Sequence, residues 1–324
     1  METSSTIIPT NTEEELTQLK NSLPKELWFA GYPLYFYQGF WAPKLECITA
    51  FQNHFEAQDT DIFATSFRKV GTTWLKSLVF AISDRANHPP SKSPLLTHNP
   101  HELVPQFESN IYRKSKSPNL STIKSPRLFG THVPFLSLPS SIKDSKSKII
   151  YIFRNPFDTF VSSWLFYQKT DDCKANMMSN MFNQFFDMFC EGKVPFGPYP
   201  EHALGYWRES LKRPEKVLFI KYEDLKADPK PQLKRIAEFI GFPFSNQEEQ
   251  GGVIDGIVKL CSIDNMKIVA IKSDRVYSIV QNDAFFREGV VGDWTNHLTP
   301  SMAEKLGKIM EEKFYDTGLT YTSM

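Results

Sequence analysis

The stretch from residue 61 to residue 82 constrains the fold of this chain more than any other. It begins with the apolar run Asp61-Ile-Phe-Ala-Thr-Ser-Phe67, which predicts a buried strand, and ends in the helical pattern Trp74-Leu-Lys-Ser-Leu-Val-Phe-Ala-Ile82. Between them lies a short loop with one lysine, Lys69, and one glycine, Gly71. Glycine lets backbone N–H groups approach an anion, and a helix N-terminus adds partial positive charge. The stretch therefore predicts an anion cradle, although a simple helix cap after a strand would use similar residues.

The loop is not a Walker A loop, because that sequence has two glycines separated by four residues and then Lys-Ser/Thr. Here the lysine precedes the only glycine. A nucleotide kinase would also need a magnesium-holding aspartate after a strand, and the sequence offers neither feature. Hydrolysis or transfer chemistry on ATP or GTP is therefore disfavoured.

Apolar runs and helical patterns alternate along the rest of the chain. Further strands are predicted at 127–131, 147–153 and 216–220, and helices at 72–84, 157–169, 174–191, 200–212 and 230–240. Such alternation is typical of parallel strands covered by helices on both faces. The predicted fold class is therefore α/β, a single domain at 23–324 with a central parallel sheet, preceded by a flexible N-terminal tail at 1–22.

Two segments are predicted to lack long regular elements. Prolines, glycines and aromatic residues break any helical period in Pro24–Trp41, which predicts an extended loop. The Ser/Pro/His-rich stretch 88–127 predicts a loop with short helices. Aromatic residues in such a loop usually pack on their own domain, and lining a ligand cleft is the less common alternative.

Composition and charge exclude several classes of partner. The 324 residues include 37 basic and 37 acidic side chains, so bulk charge gives no support to binding of nucleic acid or anionic membranes. No apolar run approaches the roughly 18 residues of a membrane span, and the polar, acidic start does not resemble a signal peptide. The four cysteines lack metal-ligand spacing, which favours reduced thiols in a cytoplasmic protein and no bound metal.

A second group of candidate residues follows the strand at 147–153. Arg154 stands at the carboxyl end of that strand, Pro156 opens a helix, and Ser162 lies about two turns further along it. An arginine suits a phosphate because its fork donates two parallel charge-assisted hydrogen bonds. The alternative without a ligand is an ion pair between Arg154 and Asp158.

Three motifs in order along the chain resemble those of the soluble sulfotransferases, which use 3'-phosphoadenosine 5'-phosphosulfate (PAPS) as the sulfonate donor. Lys69-Val-Gly-Thr-Thr-Trp74 resembles the first nucleotide-binding motif, and Arg154-Asn-Pro-Phe-Asp-Thr-Phe-Val-Ser162 resembles the 3'-phosphate motif. Arg287-Glu-Gly-Val-Val-Gly-Asp-Trp294 is similar to the third signature. Leu-Cys-Ser at 260–262 and His-Glu-Leu-Val-Pro at 101–105 are similar to plant cytosolic members. The chain is identified as a member of this family from residue 24 to Tyr321.

The resemblance implies the sulfotransferase fold, with a P-loop-like loop for the phosphosulfate, and a role for each matching residue. Lys69 would bridge the leaving phosphate and the sulfonate, and Ser162 would hold Lys69 back until the acceptor binds. His132, in Thr131-His-Val-Pro134, would be the catalytic base. The remaining residues implied to bind the donor are Val70, Gly71, Thr72, Thr73, Trp74, Arg154, Tyr222, Cys261, Ile263, Met266, Arg287, Glu288 and Gly289.

The chain departs from the family motifs at three places. Arg68 replaces a proline, Val70 replaces a serine or threonine, and Glu288 stands where most members carry a cation. We expect Glu288→Lys to tighten nucleotide binding by about tenfold at low salt and by less at high salt, whereas an unchanged dissociation constant would mean that the side chain faces solvent. These departures keep a second class of function open, a degenerate member that binds a small phenolic ligand without turnover.

The resemblance also implies a small hydroxylated acceptor in an apolar pocket and release of adenosine 3',5'-bisphosphate (PAP). A flavonoid or other phenol is favoured, with steroids and other plant metabolites as alternatives. Candidate lining residues are the Pro24–Trp41 loop, Phe135, Trp164, Phe182, Phe185, Phe186 and Phe189, although a plain amphipathic helix also explains the last four. The dimer motif of animal members would fall at 295–304, where Thr295 and Pro300 interrupt it, so we expect a monomer.

Overall fold

The computed structural model describes residues 12–28, 31–169, 181–272, 285–286 and 288–322. Its strands are, in chain order, Lys25–Leu27 (β1), Pro33–Tyr37 (β2), Phe40–Ala42 (β3), Ile62–Ser66 (β4), Leu128–Thr131 (β5), Lys148–Phe153 (β6) and Val217–Lys221 (β7). The first three form a small antiparallel sheet. The last four form a parallel sheet in the order β5-β4-β6-β7.

The helices alternate with these strands. They are Glu13–Ser22 (α1), Leu45–His54 (α2), Thr72–Asp84 (α3), Pro100–Leu103 (α4), Tyr112–Lys114 (α5), Ser140–Asp144 (α6), Pro156–Gln168 (α7), Met181–Cys190 (α8), Tyr199–Lys212 (α9), Tyr222–Ala227 (α10), Pro229–Phe239 (α11), Asn246–Gln250 (α12), Val253–Leu260 (α13), Ile263–Lys272 (α14) and Pro300–Phe314 (α15). Short 3-10 turns lie at Pro90–Lys92, Pro94–Leu96, Phe135–Ser137 and Asp293–Asn296, and a π-helical turn lies at Phe107–Ile111. The predicted loop at 88–127 with short helices is confirmed.

The central sheet is buried on both faces. Every residue of β4 is buried, and so is all of β6 after its first residue. The register places Ile62 opposite both Leu128 and Lys148, so that β4 runs parallel to its two neighbours. The α/β class with a central parallel sheet flanked by helices is thus confirmed. The predicted limits of its strands, of α3 and of α7 hold to within one residue, whereas part of the predicted helix at 174–191 lies outside the described residues.

All four parallel strands deliver a candidate residue to the same edge of the sheet, because their carboxyl ends meet there. The loop with Lys69 follows β4, and His132 follows β5 directly. Arg154 follows β6, and Tyr222 follows β7. The topology therefore gathers groups that are more than 150 residues apart in the sequence.

The prediction of an extended loop at Pro24–Trp41 was wrong, because this segment forms most of the antiparallel sheet β1-β2-β3. Pro33 is the first residue of β2, a place where a strand tolerates proline. Gln38 and Gly39 both have positive φ, 49° and 83°, and make the two-residue turn between β2 and β3. The sheet contacts the rest of the domain through hydrogen bonds between Trp41 and the 196–197 backbone.

Part of the segment predicted as a flexible tail is helical. Helix α1 begins with a capping box between Thr12 and Glu15, its Leu19 is buried, and Lys20 forms an ion pair with Glu46 of α2 at 3.0 Å. The domain limit at residue 23 stays a prediction. None of the described helices is both long and apolar enough to cross a membrane, and no cluster of three or more His, Cys, Asp or Glu side chains suited to a metal occurs among the described residues.

A buried ion pair fixes the start of the central sheet. Arg127, just before β5, donates to both carboxylate oxygens of Asp61, just before β4, over 2.7 and 2.6 Å. The Arg127 guanidinium also lies over the rings of Phe55 and Phe129, 5.6 and 5.4 Å from their centroids. Both charged groups are almost completely buried. The pair therefore sets the register in which β4 and β5 begin.

We predict that Asp61→Ala lowers the free energy of unfolding by about 3–5 kcal/mol, because it leaves the Arg127 guanidinium buried without its partner. The matched control is Glu304→Ala, which breaks an exposed ion pair with Lys308 and should leave the free energy of unfolding nearly unchanged. Urea unfolding followed by tryptophan fluorescence measures both. Equal losses in the two variants would contradict the assigned role of the buried pair.

Candidate active site

A pocket of about 250 Å³ opens at the carboxyl edge of the central sheet. Its walls come from the loop after β4, the start of α3, the residues that follow the other three parallel strands, helices α7 and α14, and Phe285, Phe286 and Gly289. The residues proposed from the sequence that line it are Lys69, Gly71, Thr72, Thr73, Trp74, His132, Arg154, Ser162, Tyr222, Ile263, Met266 and Gly289. Most of the predicted site therefore meets in one cavity.

The loop between β4 and α3 has a backbone suited to holding an anion. Lys69 and Gly71 both have positive φ, 64° and 107°. Left-handed residues alternating with others turn successive N–H groups toward one side, and the N-terminus of α3 adds further donors. A side chain at residue 71 would also stand 2.8 Å from the Tyr222 ring. The position thus requires glycine for two independent reasons.

Two cations of this loop lie over aromatic rings of α7. The ammonium of Lys69 is 4.0 Å from the centroid of Phe166 and 5.7 Å from that of Phe285. The guanidinium of Arg68 is 5.3 Å from the centroid of Tyr167. The quadrupoles of these rings help to hold the cations at the pocket wall. The predicted restraint of Lys69 by Ser162 stays a prediction.

Arg154 is buried in the part of the pocket wall that follows β6. It forms an ion pair with Asp158 at 3.3 Å, as the alternative without a ligand expected, and donates to the backbone carbonyl of Val290 over 2.8 Å. Its guanidinium also lies 4.6 Å from the centroid of Tyr222. Within the described residues, however, the buried Nε has no hydrogen-bond partner. Arg154 also lines the pocket, and a guanidinium in a pocket wall fits an anionic ligand.

Asp158 connects the second motif to the third. Its carboxylate accepts hydrogen bonds from the backbone N–H groups of Gly292 and Trp294, at 2.9 and 3.1 Å, and from the side chain of Asn155 at 2.9 Å. This carboxylate is fully buried, so its bonds to backbone donors are worth more than exposed ones. The Gly-Asp-Trp end of the third motif is therefore fastened to the start of α7.

His132 is oriented as a base. Its Nδ1 lies 2.8 Å from the Ser66 carbonyl oxygen, which can only accept, so Nδ1 carries the proton and Nε2 is the acceptor. The Glu108 carboxylate accepts from the backbone N–H of His132 over 2.8 Å and fixes its position. Withdrawal from water, followed by the positive charge of Arg68, holds the pKa of His132 well below its usual value. The imidazole is therefore neutral and ready to accept a proton at neutral pH.

The pocket wall around Trp74 and Tyr222 is largely apolar and aromatic. Trp74 contacts Tyr222 edge to face, with centroids 5.4 Å apart, and the Tyr222 hydroxyl donates to the Gly289 carbonyl over 3.3 Å. Met266 and Phe286 pack together beside Trp74. Such walls suit a flat, heteroaromatic ring such as a nucleobase.

Several residues proposed from the sequence do not line the pocket. Val70 and Cys261 are fully buried in the core, so a ligand could reach only their backbone. The Glu288 side chain is 73% exposed and its carboxylate lies 3.8 Å from the ammonium of Lys267, in solvent. Arg287 lies outside the described residues.

The predicted acceptor residues lie elsewhere as well. The pocket is not lined by Phe135, Trp164, Phe182, Phe185, Phe186 or Phe189, nor by any described residue of the Pro24–Trp41 segment. The α8 phenylalanines pack around Phe160 of α7 with ring centroids 5.2–5.5 Å apart. The plain amphipathic-helix interpretation therefore describes them better.

Several residues that the sequence analysis did not propose line the pocket. Leu165, Phe166 and Lys169 line it, at spacings of three, four and seven from Ser162 on α7. Residues with those spacings share one helix face, so the pattern could have identified them. His101 and Phe285 also line it, with ring centroids 4.8 Å apart, and no local pattern predicts their approach.

Taken together, the pocket can bind anionic groups beside Lys69 and Arg154 and accept a proton at His132, next to the first of these places, as a group-transfer enzyme requires. The sequence matches the family described as Sulfotransferase domain over residues 59–318. The chain belongs to this family, and its reaction is sulfonate transfer. The family and fold inferred from the three motifs are thereby confirmed.

Individual relatives agree. The chain is 44% identical to cytosolic sulfotransferase 15 of Arabidopsis thaliana over 315 residues, which is 95% of this chain and 87% of the relative. An Arabidopsis thaliana structure described as a "putative steroid sulphotransferase" is 37% identical, with a TM-score of 0.75, and the match covers 98% of this chain and all of that one. The mouse sulfotransferase SULT7A1 in complex with PAP is 28% identical, with a TM-score of 0.67, over 86% of this chain and 94% of that one. The cytosolic names of the relatives agree with the cytoplasmic location predicted from the sequence.

We predict that Gly71→Ala weakens binding of PAP at least tenfold, because the added methyl group meets Tyr222 and the backbone must leave its positive φ. Gly241→Ala is the matched control, since φ at Gly241 is 82° and nothing lies within 4 Å of the added methyl group. That control should lose about 1 kcal/mol of stability and no affinity for PAP. Calorimetry gives both dissociation constants, and a Gly71→Ala variant that binds normally would refute the proposed cradle.

We predict that Glu288→Lys changes the dissociation constant of PAP by less than about threefold, because the exposed carboxylate is screened by solvent and salt. The same calorimetric titration at low and high salt measures the effect. A tightening near tenfold at low salt would mean instead that the side chain turns toward the phosphate when the nucleotide binds.

Proposed function

We propose that this sulfotransferase takes its sulfonate from PAPS, transfers it to the hydroxyl of a small phenol and releases PAP. The mouse sulfotransferase SULT7A1, which is 28% identical to this chain, holds PAP, and PAP is what remains of PAPS after the transfer. The residues of the pocket fit that nucleotide. An anion cradle, a buried arginine with an unsatisfied Nε and an aromatic end wall match its two phosphate positions and its base.

One observation carries the proposal: the imidazole of His132 and the ammonium of Lys69 line the same pocket, with the cradle between β4 and α3 beside them. The Ser66 carbonyl fixes the His132 tautomer that accepts at Nε2. A base and a fixed cation on one cavity allow a hydroxyl to lose its proton while negative charge grows on the leaving phosphate.

PAPS, when bound, supplies the sulfonate and a leaving group that departs through a loose transition state. The chain supplies positions and charges. His132 takes the proton of the acceptor hydroxyl at Nε2. Lys69 and the donors at the start of α3 stabilise the charge on the leaving oxygen, and Arg154 holds the second phosphate. No step in this scheme requires a metal ion.

The pKa of His132 favours a phenol as the acceptor. Burial lowers the pKa of His132 and so makes its imidazole a weaker base, which depends more on an acidic acceptor such as a phenol than a stronger base would. Among phenols, a flavonoid fits the aromatic character of Phe166 and Phe285 at the pocket wall. The Arabidopsis thaliana structure described as a "putative steroid sulphotransferase" makes a steroid the comparison compound.

The competing function, a degenerate member that binds without turnover, rested on Arg68, Val70 and Glu288. Their placements give no reason for inactivity. Val70 lies in the core, Glu288 lies in solvent, and Arg68 stands over aromatic rings where its charge lowers the pKa of His132.

We further propose that the protein acts as a monomer, with residues 23–324 as its single domain.

We predict that the purified protein transfers label from PAPS to a phenolic flavonoid faster than to a hydroxysteroid. His132→Asn should lower kcat by at least 100-fold and leave the dissociation constant of PAP nearly unchanged, because the base contacts the acceptor and not the nucleotide. Lys69→Met should lower kcat similarly, through loss of charge stabilisation at the leaving oxygen.

The matched control is His98→Asn, which changes an exposed histidine and should keep full activity. Activity retained by His132→Asn would refute the base assignment. Tight binding of PAP without label transfer to any compound of the panel would support the degenerate member instead.

A further inference from the structure

A buried lysine stands behind the cradle, and the reaction described above does not use it. Lys76 lies on α3 one turn after Thr73 and is fully buried. Its ammonium is 3.2 Å from His101 Nδ1 and 3.1 Å from Gln106 Oε1. Burying an ammonium costs free energy unless the charge is paired and hydrogen-bonded. A lysine at this position therefore calls for a role that a neutral side chain could not fill.

The lysine lies in the middle of a hydrogen-bond network that joins the cradle to the base. On one side, His101 Nε2 is 3.0 Å from the Thr73 hydroxyl, which lines the pocket. On the other side, Gln106 donates to Glu108 over 2.6 Å. Glu108 in turn accepts from the backbone N–H of the residue after β5, the catalytic His132.

The fold leaves space for this ammonium at one point of β5. A Cβ at Gly130 would stand 2.5 Å from Lys76 Cε and 2.8 Å from its Nζ. The end of the lysine therefore occupies the volume of the side chain that residue 130 lacks. Gly130 and Lys76 form a matched pair across β5 and α3.

The chemistry of the three groups fixes the direction of the hydrogen bonds. An ammonium only donates, so His101 Nδ1 must accept. Burial and the positive charge of Lys76 hold the pKa of His101 well below its usual value, so this ring is neutral and carries its one proton on Nε2. Nε2–H then donates to the Thr73 oxygen. The single proton of the Thr73 hydroxyl can then be donated to another acceptor, and Thr73 lines the pocket where a ligand could supply one.

We propose that Lys76 is a positioning residue that, through His101, makes the Thr73 hydroxyl a hydrogen-bond donor to the nucleotide phosphate in the cradle. The inference rests on the proposed function, since it takes PAP or PAPS as the ligand. Without the ammonium, His101 can adopt the other tautomer, accept from Thr73 and withdraw that donor from the phosphate.

The charge of Lys76 is poised to respond to pH. Burial lowers the pKa of Lys76 to about 7, against the opposing attraction of Glu108 on the π-helical turn. The other titratable groups that face it are His101 of α4 and His132 after β5, both neutral, with Lys69 of the loop beyond them. A phosphate that needs the charged form binds less well as the pH rises above about 7, because deprotonation of the free enzyme then competes.

The test is a double-mutant cycle with PAP as the probe, measured by calorimetry at pH 6.5. Lys76→Met should weaken PAP binding about tenfold, the usual effect of losing a hydrogen bond to a charged group. Thr73→Val should weaken it by a similar factor. In the Thr73→Val background, Lys76→Met should cause no further loss, because the lysine acts through that hydroxyl. A loss of equal size in both backgrounds would overturn the proposal.

Two controls separate positioning from packing. Lys216→Met removes another buried lysine, whose pKa burial lowers to about 8, at the start of β7 and away from the pocket; it should leave the PAP dissociation constant unchanged. Lys76→Met combined with Gly130→Ala refills the volume beside β5 without restoring the ammonium. Recovery of PAP affinity in that double variant would show a packing role and overturn the proposal.

A measurement that does not depend on Lys76 variants folding compares wild type with Thr73→Val across pH. The affinity advantage of wild type should be about tenfold at pH 6.5 and should shrink steadily between pH 7 and pH 8.5. An advantage that is constant over this range overturns the role of the lysine. A wild-type protein that does not bind PAP at any pH overturns the proposed function itself. This result comes from the first titration, before any substitution is made, and is therefore distinct from a failure of the lysine proposal.

Discussion

The parallel pairing of β4 with both β5 and β6 is the constraint on which the rest of the site depends. Because the strand order is β5-β4-β6-β7, the groups at the carboxyl edge stand in a fixed sequence across the sheet. His132 comes first, then the loop with Lys69, then Arg154, and last Tyr222. This order matches the order of the reacting parts in the proposed complex, from acceptor through sulfonate to nucleotide. A slip of one residue in the register would turn every buried side chain of a strand to the opposite face, so the apolar sheet enforces the chemistry at its edge.

Two buried carboxylates, those of Asp158 and Glu108, influence how charge is distributed around the pocket. The chain as a whole has no net charge, yet the pocket wall carries Lys69 and Arg154. Asp158 and Glu108 lie directly behind that wall, and each accepts from backbone N–H groups of a segment that contributes to the site. Each acid thus serves as an anchor for a piece of backbone while its charge balances a buried cation nearby. The result is a pocket that attracts anions in a protein that is electrically neutral overall.

The sequence predicted what is decided locally. The strand, loop and helix around Gly71 follow from an apolar run and a glycine, and the limits of the parallel strands follow from runs of buried residues. It failed where the outcome depends on partners far along the chain. The antiparallel sheet at Pro24–Trp41 was missed because its turn, Gln38-Gly39, lacks the usual Asn-Gly signal and its prolines suggested a loop. Lys76 looked like an ordinary polar position of a helix, since only the absence of a side chain at Gly130 creates the space for its ammonium.

The bonds from Asp158 to the backbone of Gly292 and Trp294 have a consequence for the order in which the molecule is made. Phe285, Phe286 and Gly289 complete the pocket, and they follow the sheet, the cradle and Arg154 in the sequence. While the ribosome is still adding this segment, the sheet, the cradle and Arg154 have already emerged, but the wall that closes over them has not. Nucleotide therefore cannot stabilise the nascent protein through the complete pocket, and the apolar surfaces around Trp74 and Tyr222 stay open to solvent until that segment has emerged. For this fold, the sheet that carries the reacting groups is made well before the wall that encloses a ligand on it.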